Sequence, residues 1–293
     1  MTLNYPTRFN EIARWAEQER SPVPDATRKY VQYLILKAIS DSRSLRNSMV
    51  FKGGNALEFF HLPNRATVDL DFSFVEPVAN NQMHLESVQR QLVSAINPYT
   101  DGFGTILRVQ GVRQNPRGQH VARATLRANV AYALHDQSNQ LARLESGQPG
   151  ANIVPVEITS NEVVCAWEEA DLGDDKNSLL VATIEDIVAE KLRAILQQSV
   201  RNRHRRQDIL DVASLWRQSD NSMRTNLISD FLVRKGEARD ITATKSRFHD
   251  PEIRQRSATN YTDLEATTRY TFIPFDEAWE SVMDLVNQLD IPD

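Results

Sequence analysis

The chain has 293 residues, 41% of them hydrophobic and 25% charged, with a formal net charge of −5 at pH 7. This composition is that of a soluble globular protein with one large domain or two ordinary ones, and the net charge argues against a surface that is basic throughout. The sequence contains no apolar run of the length of a membrane span, no secretory-signal pattern near its start, and one cysteine, Cys165; we therefore expect a cytoplasmic protein without a disulfide or a cysteine-rich zinc site.

The first half of the chain is predicted to alternate between helices and strands. A helix over 28–42 and a short strand over 48–52 lead to a turn at Gly53 and Gly54, which a short helix follows. Residues 66–74 alternate, with Asp69, Asp71 and Ser73 on the polar side, which predicts a half-buried strand. The further predicted elements are a helix over 81–96 and strands over 104–114, 120–134 and 152–164.

The second half of the chain is predicted to be mainly helical. Helical periodicity begins at Thr183 and continues to the end. Acidic and turn residues cluster over Glu168–Leu179, where we expect the boundary between two domains. The predicted fold class is α+β, with a mixed sheet and flanking helices over residues 1–175 and a mainly helical domain over 176–293.

Two carboxylates on one strand face are the first candidate for chemistry. Asp69 and Asp71 are two residues apart, so a strand projects both from the same face. Carboxylates this close repel one another unless a cation lies between them, and oxygen ligands suit Mg²⁺ or Mn²⁺. Glu157, on the polar side of a later strand, is a candidate third ligand. The alternative is a solvated polar face without a metal.

Phosphate-binding features accompany the carboxylates. The Gly53-Gly54 turn lets backbone N–H groups approach a phosphate closely. Lys191 and Arg193, on a predicted helix, are cations that could reach phosphates. Two metals held by three carboxylates beside such a turn indicate phosphoryl or nucleotidyl transfer.

The motifs in this order resemble a known family. "FKGGNALEFF" and "VDLDF" resemble the glycine turn and D-x-D strand of the polymerase-beta-type nucleotidyltransferase superfamily. More narrowly, the chain resembles the AbiEii abortive-infection toxins and the related MenT toxins. The segments "IEDIVAEKLRAIL" and "RRQDILDVASL" are similar to the lysine helix and the last acidic motif of that family. The family usually has Ser or Thr where this chain has Asn55.

The resemblance implies a set of site residues. Nucleotide binding is implied for Lys52, Gly53, Gly54, Asn55, Arg65 and Lys191. Catalytic roles are implied for Asp69, Asp71, Lys191 and Asp208, with Asp69, Asp71 and Glu157 as the metal ligands.

The resemblance also implies a function. Members of the family are toxins of toxin–antitoxin systems, so it implies a metal-dependent nucleotidyltransferase that inhibits growth. The implied partners are an NTP, an RNA acceptor with tRNA as the expected one, and a cognate antitoxin. The nucleotide that is used and the identity of the acceptor are left open.

Two alternative functions remain open at this stage. "VDLDFS" also resembles the nucleophile strand of a HAD-type phosphatase, and Gly173–Asp175 its distal acidic motif. A degenerate protein that binds nucleotide without catalysis is the other, and Asn55 is the residue that suggests it.

Several candidate residues also have a structural interpretation. Lys191 could be a lysine at the edge of a buried stripe, and Asp208 with Asp211 could cap a helix. Arg65 could pair with one of the strand aspartates. The basic segments Val200–Arg206 and Arg247–Arg256 could meet a polyanion or could be solvated loops.

Overall fold

The computed structural model describes residues 5–64, 66–76, 85–102, 104–117, 123–173, 177–220 and 223–293. The chain divides into two compact units. The first consists of Met1–Glu162 and Trp167–Ala182, and the second of Val163–Ala166 and Thr183–Asp293. A division into two independent domains at residue 175 stays a prediction.

The first unit is built on one mixed sheet, which confirms the predicted fold class. Its strands in the described part of the chain are β1 (Met49–Lys52), β2 (Leu70–Phe74), β3 (Ile106–Asn115), β4 (Thr125–Ala133), β5 (Asn152–Thr159), β6 (Trp167–Asp171) and β7 (Ser178–Ala182). The order across the sheet is β3-β4-β5-β2-β1-β7-β6. β2 pairs in parallel with β5 and β1 with β7, and the other neighbours are antiparallel.

Helices complete the first unit. They are α1 (Ile12–Gln18), α2 (Val23–Asp41), α3 (Arg43–Arg46), α4 (Gly53–Ala56), α5 (Leu85–Ile96) and α6 (Ser138–Glu145), with a π-helical turn over Leu57–His61 directly after α4. α2 is buried on nearly all of its sides. Apolar residues such as Ile35 and polar residues such as Lys29 and Gln32 are all buried in the unit. α2 therefore forms part of the core.

β2 is shorter than the sequence predicts. The alternating segment was expected to be a strand over 66–74, but the strand begins at Leu70. The carbonyl groups of Thr67 and Val68 each accept a hydrogen bond of 3.0 Å from the Gln32 side chain instead of a ladder bond. Asp69 thus lies immediately before the strand.

The acidic segment in which a domain boundary was expected contains most of β6 and the start of β7. β6 and β7 form an antiparallel hairpin, and β7 continues the sheet in parallel with β1. β6 lies at the edge of the sheet and its residues are mostly exposed. Its polar composition follows from this exposure, and it conceals the strand from a search for alternating hydrophobic residues.

The second unit is helical, as predicted. Its elements are α7 (Ile184–Leu196), α8 (Gln198–Arg201), α9 (Arg206–Gln218), α10 (Thr225–Glu237), α11 (Lys245–Phe248), α12 (Pro251–Ala258) and α13 (Phe275–Gln288). The Thr183 hydroxyl accepts a hydrogen bond from the backbone N–H of Asp186 and thereby caps α7. No helix in the described part of the chain is long and apolar enough to cross a membrane.

Candidate active site

Three carboxylates meet on the polar side of the sheet. Asp71 on β2 lies directly opposite Glu157 on the parallel strand β5, and Asp69 is two residues before Asp71. Each residue offers one carboxylate oxygen, and these oxygens lie within 4.8 Å of one another. Oxygen donors at this spacing fit a divalent cation such as Mg²⁺ or Mn²⁺.

Asp71 has the strongest electrostatic perturbation in this cluster. Burial is the main cause that raises the pKa of its carboxyl from 3.8 to about 7; the ammonium group of Lys52 opposes this rise, and the nearby Asp69 and Glu157 contribute to it. An acid with this pKa is only about half ionised at pH 7, and positive charge beside it would favour the ionised form. The position of Asp71 is therefore suited to a cation.

Position 53 requires a glycine, because its backbone lies too close to Asp71 for a side chain. Its φ angle is +74°, in the left-handed region, and a Cβ atom built on it would lie 2.5 Å from Asp71 Oδ2. Gly53 begins α4 directly after β1, so the glycine turn and the second aspartate are in contact. A side chain at position 53 would displace the carboxylate or the turn.

A fourth carboxylate lies beside the cluster and was not predicted. Glu162 follows the end of β5, and its side chain is contacted by the ammonium group of Lys52 and accepts a 2.8 Å hydrogen bond from Ser73 Oγ. Lys52 is also the direct cross-strand neighbour of Asp71. The ammonium group of Lys52 thus lies among acidic residues at the end of β1. Glu162 has no local sequence signal, because only the fold brings it to β1.

The side chain of Asn55 is fully buried and positions the segment before β2. Its Nδ2 donates to the carbonyl oxygen of Asp69, and its Oδ1 accepts from Lys29 Nζ at 3.2 Å. Lys29 also forms a buried ion pair of 2.7 Å with Glu58, which in turn accepts a hydrogen bond from the Thr67 hydroxyl. A serine is too short to make both contacts of this amide, so the residue that departs from the family pattern has a definite structural role. Nucleotide binding by Asn55 stays a prediction.

Glu157 is shared between the cluster and a neighbouring arginine. Arg127 on β4 is its cross-strand partner, and Arg127 Nη1 lies 2.8 Å from Glu157 Oε1. The arginine side chain is about half exposed, at 53%. The predicted third acid therefore has a positively charged neighbour on its side away from Asp71.

The predicted lysine helix lies in the second unit. The Lys191 ammonium is 2.8 Å from Asp208 and 2.7 Å from Asp211, and all three side chains are largely buried. Lys191 is thus neither a solvated nor a snorkelling lysine, and the two aspartates bind it rather than cap α9, which has no side-chain cap at Arg205. Triphosphate binding by Lys191 and a catalytic role for Asp208 stay predictions.

Some arginines of the basic segments form ion pairs with acids of the same unit, namely Arg205, Arg206, Arg254 and Arg256. Arg206 lies 3.3 Å from Asp263, and Arg254 lies 2.6 Å from Asp276. Pairing of this kind reduces the positive field that a polyanion would meet. Arg65, the remaining predicted nucleotide-binding residue, lies outside the described residues.

Two solved structures from H. pylori have a similar fold. One, a candidate nucleotidyltransferase, is 16% identical with a TM-score of 0.52, and the match covers 90% of this chain and 93% of that one. The other, JHP933, is 17% identical with a TM-score of 0.53, and 90% of each chain is covered. The chain therefore has a nucleotidyltransferase fold.

The sequence also matches a defined family. The profile described as "Nucleotidyl transferase AbiEii toxin, Type IV TA system" matches residues 34–282, most of the chain. The chain belongs to this family of nucleotidyltransferase toxins of type IV toxin–antitoxin systems, which confirms the resemblance. No match is found among curated proteins. The phosphatase interpretation is wrong, because both the fold and the family are those of nucleotidyltransferases.

Proposed function

We propose that this protein transfers a nucleotide from an NTP to an RNA acceptor, with tRNA as the expected acceptor and a divalent metal as cofactor. The observation that carries the proposal is the meeting of Asp69, Asp71 and Glu157, whose oxygens lie within 4.8 Å of one another beside the Gly53 turn. In the reaction, the acceptor hydroxyl releases its proton to solvent and its oxygen bonds to the α-phosphorus of the NTP. The bond from that phosphorus to the bridging oxygen breaks, and pyrophosphate leaves.

The three carboxylates are the residues that would hold the metal. When bound there, Mg²⁺ would supply positive charge that neutralises the triphosphate and favours ionisation of the acceptor hydroxyl. The raised pKa of Asp71, about 7, supports this assignment, because an ion at this position would offset both the loss of hydration and the repulsion that raise the pKa.

The residues around β1 are suited to the triphosphate. Lys52 supplies an ammonium group next to Asp71 in the sheet, and Gly53 and Gly54 leave the backbone N–H groups of the turn without side chains around them. Contact with phosphate would draw Lys52 away from Glu162. We therefore assign Lys52 and the two glycines to nucleotide binding, with Asn55 behind them as support.

Transfer to RNA is tested by incubating the protein with each labelled NTP, Mg²⁺ and total RNA, followed by denaturing electrophoresis. We expect label in an RNA band from at least one NTP, and none when EDTA replaces Mg²⁺. NTP binding without incorporation would instead select a nucleotide-binding protein without catalysis. Incorporation that persists in EDTA would contradict the role of the metal.

A toxin of this kind also has a cellular consequence. The family implies a cognate antitoxin, and we propose that the chain acts in the cytoplasm, where NTP and tRNA are present. Induced expression without the antitoxin should stop colony formation. Colonies that form normally with wild-type protein at confirmed expression would contradict a toxic transferase.

A further inference from the structure

A row of charged residues crosses the sheet through the acidic cluster. Cross-strand pairing places Lys52, Asp71, Glu157, Arg127 and Arg113 side by side on β1, β2, β5, β4 and β3. The signs along this row are positive, negative, negative, positive and positive. The proposed triphosphate residues lie at one end of the row, and two arginines lie at the other.

A β-bulge brings Arg113 into this row. Val109 pairs with Val130 and Val112 with Ala128, so β3 has one more residue than β4 between these pairs. Gly111 lies inside the bulge with a φ angle of +110°, which a glycine adopts readily. Because one extra residue reverses the side on which later residues point, Arg113 lies on the face of Arg127 rather than on the buried face.

With only the described residues considered, Arg113 and Arg127 are both exposed on the face that they share. Leu126 and Ala128 of β4 are buried on the opposite face, whereas Arg127 is exposed. α6 packs on the same face further along, where Leu144 belongs to one apolar cluster with Ala131 and Ala133. The stretch of β4 next to the acids is therefore accessible to a ligand.

Two like charges directly across a strand pair are unfavourable without an anion. Glu157 neutralises Arg127, but Arg113 forms no ion pair with any residue that the structure describes. A guanidinium group binds a phosphate through two parallel hydrogen bonds, so a phosphate group is an anion that such a pair fits.

We propose that Arg113 and Arg127 bind a backbone phosphate of the acceptor strand, on the side of the acids away from Lys52. This inference rests on the proposed function, because it assigns the acceptor of that reaction to a surface. Neighbouring strands are about 5 Å apart, so β4 and β3 lie about 5 and 10 Å from β5. A phosphodiester next to an acceptor hydroxyl at the acids is within reach of both side chains.

The test compares Arg113→Gln with Arg90→Gln, which removes the same charge from an exposed position on α5. Binding of a fluorescein-labelled oligouridylate is measured by anisotropy across a salt series, without NTP. Binding should weaken less steeply with salt in Arg113→Gln. We expect the plot of the logarithm of the association constant against the logarithm of salt concentration to be less steep by about 0.7, the value for one phosphate contact of a single strand. The KM for the RNA acceptor should rise about tenfold, with the KM for NTP unchanged. Arg90→Gln should change neither.

Arg127→Gln provides a second variant with its own control. It also removes the partner of Glu157, so its Mn²⁺ affinity is measured in parallel. We expect weaker oligouridylate binding in the presence of EDTA, where an effect through the metal is absent. Weaker binding only when Mn²⁺ is present would reduce Arg127 to a residue that positions Glu157 and would overturn its part of the inference.

The outcomes separate this inference from the proposed function. An unchanged salt slope and an unchanged acceptor KM for Arg113→Gln, with transfer intact, would overturn the inference alone. Weaker NTP binding with unchanged oligouridylate binding would also overturn it, by assigning the arginines to the triphosphate. Absence of transfer by the wild type would refute the proposed function, and the anisotropy series would still decide whether the arginines bind the strand.

Discussion

Replacing Asp71 by asparagine should stabilise the metal-free protein while it abolishes transfer. The pKa of Asp71 is about 7 in the fold against an ordinary value of 3.8. One pKa unit corresponds to about 1.4 kcal/mol, so ionising this partly exposed carboxyl disfavours the folded state by at most about 4 kcal/mol, and by less to the extent that water reaches it. Asp71→Asn keeps the shape of the side chain and removes the charge, and therefore removes this penalty.

The pH dependence has a definite sign. Since the folded-state pKa is raised, the wild-type protein has no penalty at about pH 4 and below, and the penalty grows as the pH rises towards 7. The stability difference between Asp71→Asn and wild type should therefore be near zero at low pH and largest above pH 7. Urea unfolding in EDTA across this range measures the difference.

Added Mg²⁺ should reverse the order of stabilities. The wild type should gain stability because the ion binds the folded state, and Asp71→Asn should gain little. Label transfer to RNA should be lost in the variant although it is folded. An Asp71→Asn variant that is less stable than wild type above pH 7 in EDTA, or one that transfers label normally, would refute the reasoning from burial and charge.

Three further substitutions test the supports of the site. Gly53→Ala should abolish transfer and cost about 1–2 kcal/mol through its left-handed backbone alone; full activity would contradict the close approach of the turn to the carboxylate. Lys29→Met leaves the carboxylate of Glu58 buried without its cation, so it should lower the free energy of unfolding by about 3–5 kcal/mol. An unchanged midpoint of urea unfolding would contradict this. Lys191→Met should destabilise by a similar amount, because two buried aspartates lose their ammonium partner; if it lowers activity without changing stability, the lysine serves the triphosphate rather than the fold.

Local patterns in the sequence were sufficient to predict most strands of the sheet and the face on which the three acids lie. Alternation along β2 places Leu70 and Phe72 in the core, which leaves Asp69 and Asp71 on the other side. The same alternation identified Glu157 on β5. These assignments need only the two-residue period of a strand, which any short window reveals.

The partners of these acids could not be found in this way. Arg127 contacts Glu157 because β4 and β5 pair in one particular register, and a register is a property of two distant segments. Lys29 supports the site from a buried position on α2. In the sequence, a lysine at such a position interrupts the hydrophobic pattern of the helix. Pairing and burial of charge are decided by the whole fold.

The anchoring of Asp69 has a kinetic consequence for metal uptake. Its carbonyl oxygen is bound by Asn55, and the residues before it are held by Gln32 and Glu58 from within the unit. The backbone at this proposed ligand is thus held by neighbours that do not depend on an ion. Little conformational search should therefore precede capture of the ion. Loading should be limited by encounter of ion and protein, and a chelator should inactivate the protein reversibly, with the chain still folded when the ion returns.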